Sequence, residues 1–256
     1  MWCGRMAGMS ELVHYSVADA VATITLDSQH NRNALSRQLV AELAERLERA
    51  DGDGGVKVVL IRQEGKVFCS GADLTEATTT GMEEGAKRIV ALQRQIVTLD
   101  KPVVTRVAGA VRAGGIGIVA ASDLAISADD ATYALTEVKL GLAAAIISLT
   151  VHARMNPRAA SLTTLGGEVF SGTRAAEYGL VTRAVPAVEL DDAVAGLCAQ
   201  LATGAGQGLR ESKRILNADL VRRIDALGDD MATLSARLFA SDEARAAMTA
   251  FLDRKK

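Results

Sequence analysis

Aromatic residues, proline and cysteine are scarce in this 256-residue chain: 3% of residues are aromatic, and there are 3 prolines and 3 cysteines. The cysteines, Cys3, Cys69 and Cys198, lie far apart in sequence, so they form no metal-binding motif. Their number and spacing favour reduced thiols in a cytoplasmic protein. No apolar run reaches the ~18 residues that a membrane span needs.

Strong charge of either sign is also missing, because the formal net charge is −2. This balance argues against general binding to nucleic acid. The first residues contain no apolar core of signal-peptide length, and Met6 and Met9 offer alternative starts. Residues 1–9 are therefore interpreted as a loose extension.

Hydrophobic residues make up 49% of the chain, and their order predicts alternating strands and helices. Val21–Leu26 alternates as a strand does, and Ser36 is a suitable N-cap for the amphipathic helix that follows. Val56–Ile61 is a continuous apolar run, typical of a strand that is covered on both faces. A parallel β-α-β unit follows from this order. After Pro186 the pattern is only helical, with helices predicted over 190–202, 209–227, 231–239 and 242–252.

The central stretch, 101–128, predicts a strand, a glycine turn, a buried helix and a second strand. A helix that begins at Gly114 directs unpaired backbone N–H groups and a positive dipole end out of the turn. A second glycine turn follows the short strand before Gly71, and Ala72 comes next. Two converging amides, from Ala72 and Gly114, would form an oxyanion hole, although both segments also fit ordinary turns between a strand and a helix. Neither turn has the order of a dinucleotide fingerprint or of a P-loop.

Several segments together resemble the enoyl-CoA hydratase/isomerase (crotonase) family over nearly the whole chain. They are, in family order, NRNAL, GKVFCSGADL, KPVVTRVAGAVRAGGIGIVAASDLAIS, ATYALTEVKLGL, SGTRAAEYGLV and the closing SDEARAAMTAFLDRKK. The resemblance implies an α/β fold in which repeated ββα units wind into a spiral over residues 10–186. It also implies a helical region, 187–256, that supports trimers or dimers of trimers.

The resemblance further implies a coenzyme A thioester as the ligand, with no separate cofactor, metal, nucleic acid or membrane partner. By position, the amides of Ala72 and Gly114 match the family's oxyanion hole, and Lys66 matches a residue that meets a coenzyme A phosphate. Lys255 matches tail lysines that reach a neighbouring subunit's phosphate, but it also fits a solvated charge. The backbone that surrounds adenine and pantetheine is matched by Ala34, Ser70, Gly71, Asp73 and Leu74.

The acidic residues depart from the pattern of the family's hydratases, which carry two glutamates. The first position, three residues after the oxyanion glycine, is Gly117 in this chain, and the second is Glu137. Glycine within a helix costs about 1 kcal/mol relative to alanine, so Gly117 predicts close packing or room for a bulky acyl group. Glu137 alone is able to move a proton between carbons of the acyl chain, and an apolar pocket would raise its pKa.

Double-bond isomerisation therefore suits this sequence best, with hydration, other reactions of the family and non-catalytic acyl-CoA binding as alternatives. Arg112 is interpreted as a contact for a carboxylated or polar acyl group or as a solvent-facing residue. His152 and Arg154 are predicted at the surface, and Asp73 is predicted to cap a helix. The apolar run 143–147 is interpreted as a wall for an aliphatic chain, Cys69 as buried packing, and 75–81 as a mobile loop.

Overall fold

The computed structural model describes residues 10–76 and 82–253. The strands are β1 (Val13–Ala18), β2 (Val21–Leu26), β3 (Val58–Gln63), β4 (Val67–Cys69), β5 (Val103–Val107), β6 (Ala110–Arg112), β7 (Leu124–Ala128), β8 (Thr132–Ala134), β9 (Phe170–Ser171) and β10 (Arg183–Val185). The α-helices are α1 (Arg37–Gly52), α2 (Glu83–Thr98), α3 (Gly114–Ala121), α4 (Ala145–Arg154), α5 (Pro157–Gly166), α6 (Gly172–Glu177), α7 (Leu190–Ala202), α8 (Gly206–Phe239) and α9 (Asp242–Asp253). Short 3-10 helices cover Gln29–Asn31, Glu137–Leu140 and Ala187–Glu189.

The strands form two sheets, and the middle part of the chain alternates between them. The larger has the order β1-β2-β3-β5-β7-β10 and is parallel except for the β1–β2 pair. The smaller has the order β4-β6-β8-β9 and is parallel except for β8–β9. The pairs β3–β4, β5–β6 and β7–β8 each place one strand in each sheet, so the chain winds as the predicted ββα spiral.

Local sequence accounts for the first helix and for the core strands. The Ser36 hydroxyl accepts a hydrogen bond from the Leu39 N–H at 3.2 Å, which caps α1 as predicted. The apolar face of α1 is buried through Leu39, Leu43 and Leu47. Val58 and Ile61 of β3 are fully buried, as a continuous apolar run in a covered parallel sheet requires.

Three strands were missed by sequence analysis: β1, β6 and β9. β1 is a mostly exposed edge strand without an apolar repeat, and its pairing with β2 is what holds it. β6 and β9 span three and two residues, which is too short for an alternating pattern. Arg112 consequently ends a strand rather than lying in a glycine turn.

The C-terminal region is helical, as predicted, but α8 is one helix of 34 residues rather than two. Gly228, where the prediction placed a break, lies inside the helix. A Cβ added to Gly228 would approach the Val90 Cγ1 of α2 to 2.9 Å. Tertiary packing on α2 and α4 therefore carries the helix through a residue of low helix propensity. Along the described chain, no helix combines the length and the hydropathy that crossing a bilayer requires.

Candidate active site

A cleft of about 550 Å³ opens on the smaller sheet and is lined by residues from both ends of the chain. The glycine turn after β4 contributes Ala72, and the start of α3 contributes Ala113. Glu137 enters from the 3-10 segment after β8, and Phe239 enters from the end of α8. The ββα winding thus brings residues that are far apart in sequence to one site.

The two candidate oxyanion amides lie side by side. A Cβ added to Gly114 would lie 3.8 Å from the Ala72 nitrogen, and one added to Gly71 would lie 3.7 Å from the Gly114 nitrogen. Gly71 has φ +97°, and its added Cβ would meet the Ala113 Cβ at 2.9 Å. Only glycine fits at position 71, because the backbone is left-handed there and a Cβ would collide with the turn at Ala113.

The direction of the Gly114 amide is set by an unusual residue before it. Ala113 adopts φ +46° and ψ −119°, a conformation that glycine favours. The first turn of α3 leaves the Gly114 N–H without a partner inside the helix. Within residues 10–76 and 82–253, neither the Ala72 nor the Gly114 nitrogen donates to another backbone group. Both donors therefore remain available to a ligand oxygen.

Glu137 is an acidic residue of the cleft whose carboxyl group is largely shielded from solvent. Its Oε2 atom is shielded from solvent and accepts no hydrogen bond from any residue that the structure describes. Burial raises the pKa of Glu137 from its ordinary 4.5 to about 7, and a backbone hydrogen bond opposes this only in part. The rise agrees with the sequence-based expectation. A carboxylate in this state exchanges a proton near neutral pH.

Gly117 lies away from the cleft and packs inside the protein. A Cβ added there would approach the Ile147 Cγ2 of α4 to 2.6 Å and the Gln93 Oε1 to 3.1 Å. Gln93 is itself buried and accepts a hydrogen bond from the Thr150 hydroxyl at 2.7 Å. Close packing, one of the two predicted reasons for this glycine, therefore accounts for it.

The remaining predicted binding residues divide between the cleft and the surface. Ala34, Ser70, Asp73 and Leu74 line the cleft, and Gly71 lies directly beside Ala72. Asp73 also caps the following turn, since its Oδ1 accepts from the Thr75 N–H at 2.9 Å. Lys66 is exposed and does not line the cleft. Lys255, the 1–9 extension and residues 77–81 of the predicted loop lie outside the described residues.

Two interpretations made from the sequence are wrong. The run 143–147 does not form a wall of the cleft, because Ala144, Ile146 and Ile147 are buried in the core. Arg154 is not a surface residue: it is largely buried, and its Nε donates to the Ala120 carbonyl at 3.0 Å. His152 is exposed, as predicted, and Cys69 is buried as predicted.

Sequence analysis also missed part of the cleft. Leu140, Leu142 and Phe239 line it, and they pack with Ala244 and Met248 in a second apolar cluster. No local signal in the sequence marks Phe239, because its position depends on where α8 ends against the rest of the chain.

Comparison with known proteins connects this geometry to one family. The family model "Enoyl-CoA hydratase/isomerase" matches residues 16–256. The chain belongs to the enoyl-CoA hydratase/isomerase family. Its fold is the crotonase fold, and the family is one of enzymes.

Similar proteins cover nearly all of the chain. A crystal structure of an enoyl-CoA hydratase from Mycobacterium avium is 42% identical, with a TM-score of 0.90 over 96% of this chain and 98% of that one. A second enoyl-CoA hydratase structure, from Mycobacterium avium subsp. paratuberculosis K-10, is 27% identical, with a TM-score of 0.85 over 95% and 96%. A Bacillus subtilis protein named "Probable enoyl-CoA hydratase" is 30% identical over 95% of this chain and 96% of its own length.

Proposed function

We propose that this family member moves a proton within an enoyl-CoA thioester, shifting a double bond from C3 to C2. One observation carries the proposal: the Ala72 amide and one shielded carboxylate, Glu137, with a pKa raised to about 7, line the same cleft, and the Gly114 amide adjoins Ala72. The position of the first glutamate of the family's hydratases is occupied by Gly117, which packs against Ile147. Coenzyme A enters as part of the substrate, and no further cofactor is needed.

The chemistry balances with one acid–base group. The thioester oxygen accepts hydrogen bonds from the Ala72 and Gly114 N–H groups. Glu137 removes a proton from C2, and the electron pair of that C–H bond forms a dienolate whose charge is on the thioester oxygen. Each amide donor is expected to lower the barrier by about 3–4 kcal/mol. Glu137 then returns the proton to C4, which leaves the double bond between C2 and C3.

Hydration is the second candidate, and the names of similar proteins favour it, because these are called enoyl-CoA hydratases. Hydration requires a group that activates water. Glu137 is the shielded acid available for this step, and it would then have to serve both water and C2. The two reactions change the conjugated double bond in opposite directions, so one optical assay separates them.

The test is turnover of 3-enoyl-CoA and 2-enoyl-CoA substrates by the native protein, by Glu137→Gln and by the exposed control Glu48→Gln on α1. Isomerisation predicts that 3-enoyl-CoA gains conjugation, with a rate that Glu137→Gln lowers about 100- to 10,000-fold and Glu48→Gln leaves unchanged. Loss of conjugation from 2-enoyl-CoA, with no reaction of the 3-enoyl isomer, would favour hydration. Tight acyl-CoA binding without turnover would contradict both reactions and indicate a binding protein.

A further inference from the structure

Arg112 places a positive charge in the cleft at the end of β6, two residues before Gly114. Its Nη1 donates to the carbonyl oxygens of Val111 and Thr132 at 2.8 and 2.7 Å. Its Nη2 donates to the Thr132 hydroxyl at 3.1 Å. These bonds hold the guanidinium against the small sheet. An arginine has five N–H donors, so donors remain for a ligand.

No carboxylate balances this charge within the described residues. Burial alone lowers the pKa of Arg112, and no acidic neighbour opposes that effect. The acidic cap residue of the cleft, Asp73, uses its oxygens for the Thr75 and Glu76 amides and for the Asn31 side chain. Removing a cation from water without a counter-charge is costly, and neutral acceptors compensate for it only in part.

We propose that Arg112 binds an anionic oxygen group of the acyl-CoA substrate and so selects among acyl-CoA molecules. The inference rests on the proposed function. A planar guanidinium with free donors is suited to carboxylate and phosphate oxygens. The anion has two possible sources: a carboxylate at the far end of the acyl group, or a phosphate of coenzyme A. The run 143–147 does not line the cleft; its apolar lining comes from Leu74, Leu140, Leu142 and Phe239, and Arg112 adds a cation to it.

The experiment measures dissociation constants by calorimetry for four saturated, unreactive ligands. Two are acyl-CoA molecules of equal chain length, one ending in a methyl group and one in a carboxylate. The other two are the matching pantetheine thioesters, which lack the nucleotide phosphates. The proteins are the native chain, Arg112→Gln, Arg112→Lys, and Arg222→Gln as the control. Arg222 is an exposed arginine outside the cleft that pairs with Asp219.

A carboxylate contact predicts that Arg112→Gln weakens binding of both carboxylate-ended ligands about 10- to 100-fold and leaves the methyl-ended ligands unchanged. A phosphate contact predicts an equal loss for both coenzyme A ligands and none for the pantetheine thioesters. Arg112→Lys should recover part of either loss, because it retains the charge but not the planar fork. Arg222→Gln should bind all four ligands as the native chain does.

If Arg112→Gln binds each of the four ligands as tightly as the native chain does, the inference is wrong and Arg112 has a structural role. In that case native binding and turnover of enoyl-CoA persist, so the proposed function stands. If the native chain binds none of the acyl-CoA molecules, the proposed function fails as well. Thermal melting of Arg112→Gln and Arg112→Lys establishes that any loss of binding comes from folded protein.

Discussion

The position of Glu137 raises the pKa of its carboxyl group and lowers the stability of the folded protein at neutral pH. Its carboxyl group is ionised easily in water, but the cleft shields Oε2 and provides no donor to that atom within the described chain. The folded protein therefore binds the Glu137 proton more tightly than the unfolded chain does. This difference costs folding energy wherever the group must ionise, and in the proposed reaction it would let Glu137 act as a base near neutral pH.

The linkage predicts a pH-dependent stability effect of Glu137→Gln. Below about pH 4.5 the carboxyl is protonated in both states, and glutamine replaces it with little change. As the pH rises from 4.5 to about 7 the native protein loses up to about 3 kcal/mol, which the variant does not lose. Urea unfolding at pH 4 and pH 8 should show the variant more stable only at pH 8. An equal difference at both values would contradict the burial of Glu137.

Gly117 lies where the packing leaves no room for a glutamate side chain. Gly117→Glu should destabilise the protein by at least about 2–3 kcal/mol, because Ile147 and Gln93 occupy the space that its side chain would need. Gly117→Ala should be milder, since alanine's helix propensity offsets part of the close contact. Thermal unfolding measures both variants. A stable, folded Gly117→Glu that gained hydration would contradict this account of the packing.

At the scale of elements, the long helix α8 is attached to the core by a buried ion pair. The Lys213 Nζ lies 2.8 Å from the Asp123 Oδ2, and Lys213 is only 4% exposed. Lys213 also donates to the carbonyl oxygens of Ile96 and Lys101, each at 2.9 Å. One side chain thus joins α8 to the end of α2 and to the residues around β5 and β7.

Lys213→Met should cost about 3–5 kcal/mol, because it leaves the partly buried Asp123 carboxylate without the ammonium group that pairs with it. The double variant Lys213→Met with Asp123→Asn should cost less than the sum of the single changes, and chemical unfolding of the cycle measures the difference. Lys87→Met, which removes an exposed pair with Glu83, is the control and should change stability little. Additive costs in the buried cycle would show that the two residues are not coupled.

At the scale of the whole molecule, apolar side chains around α5 are exposed in the single chain. α5 exposes Leu162 and Leu165, the latter at 75%, and Val169 follows it. α5 contacts the 3-10 segment that carries Glu137, where Val138 is also exposed. Exposed apolar surface favours contact with another protein, and identical chains mostly assemble with closed rotational symmetry.

We expect a trimer or a dimer of trimers, with a light-scattering mass three or six times the 26.8 kDa of one chain. Leu165→Asp should lower that mass, because a charge in the contact would lose its water. Val17→Asp, at an exposed site on the edge strand β1, is the control and should leave the mass unchanged. A native mass of one chain would contradict the expected assembly.

Much of the framework was predictable because local patterns agree with the final packing. The buried helix from Gly114, the strands at 103–107 and 124–128, the Ser36 cap and the helix opened by Pro157 all appear where their sequence signals lie. Two strands of the smaller sheet, β6 and β9, were missed, since three and two residues carry no periodic signal. The break predicted near Gly228 was wrong because packing on α2 outweighs the helix propensity of one glycine.

The sequence by itself determined the family pattern, the two glycine turns and the presence of Glu137 with glycine at position 117. These features follow from residue identity and from backbone preferences that depend only on neighbouring residues in the sequence. Only the tertiary structure decided that the Ala72 and Gly114 amides adjoin, that Ile147 occupies the space beside Gly117, and that Arg112 has no acidic partner within the described residues. These features depend on which distant segments of the chain pack together. That packing fixes the distances between groups, their burial and the free energy needed to remove a charge from water.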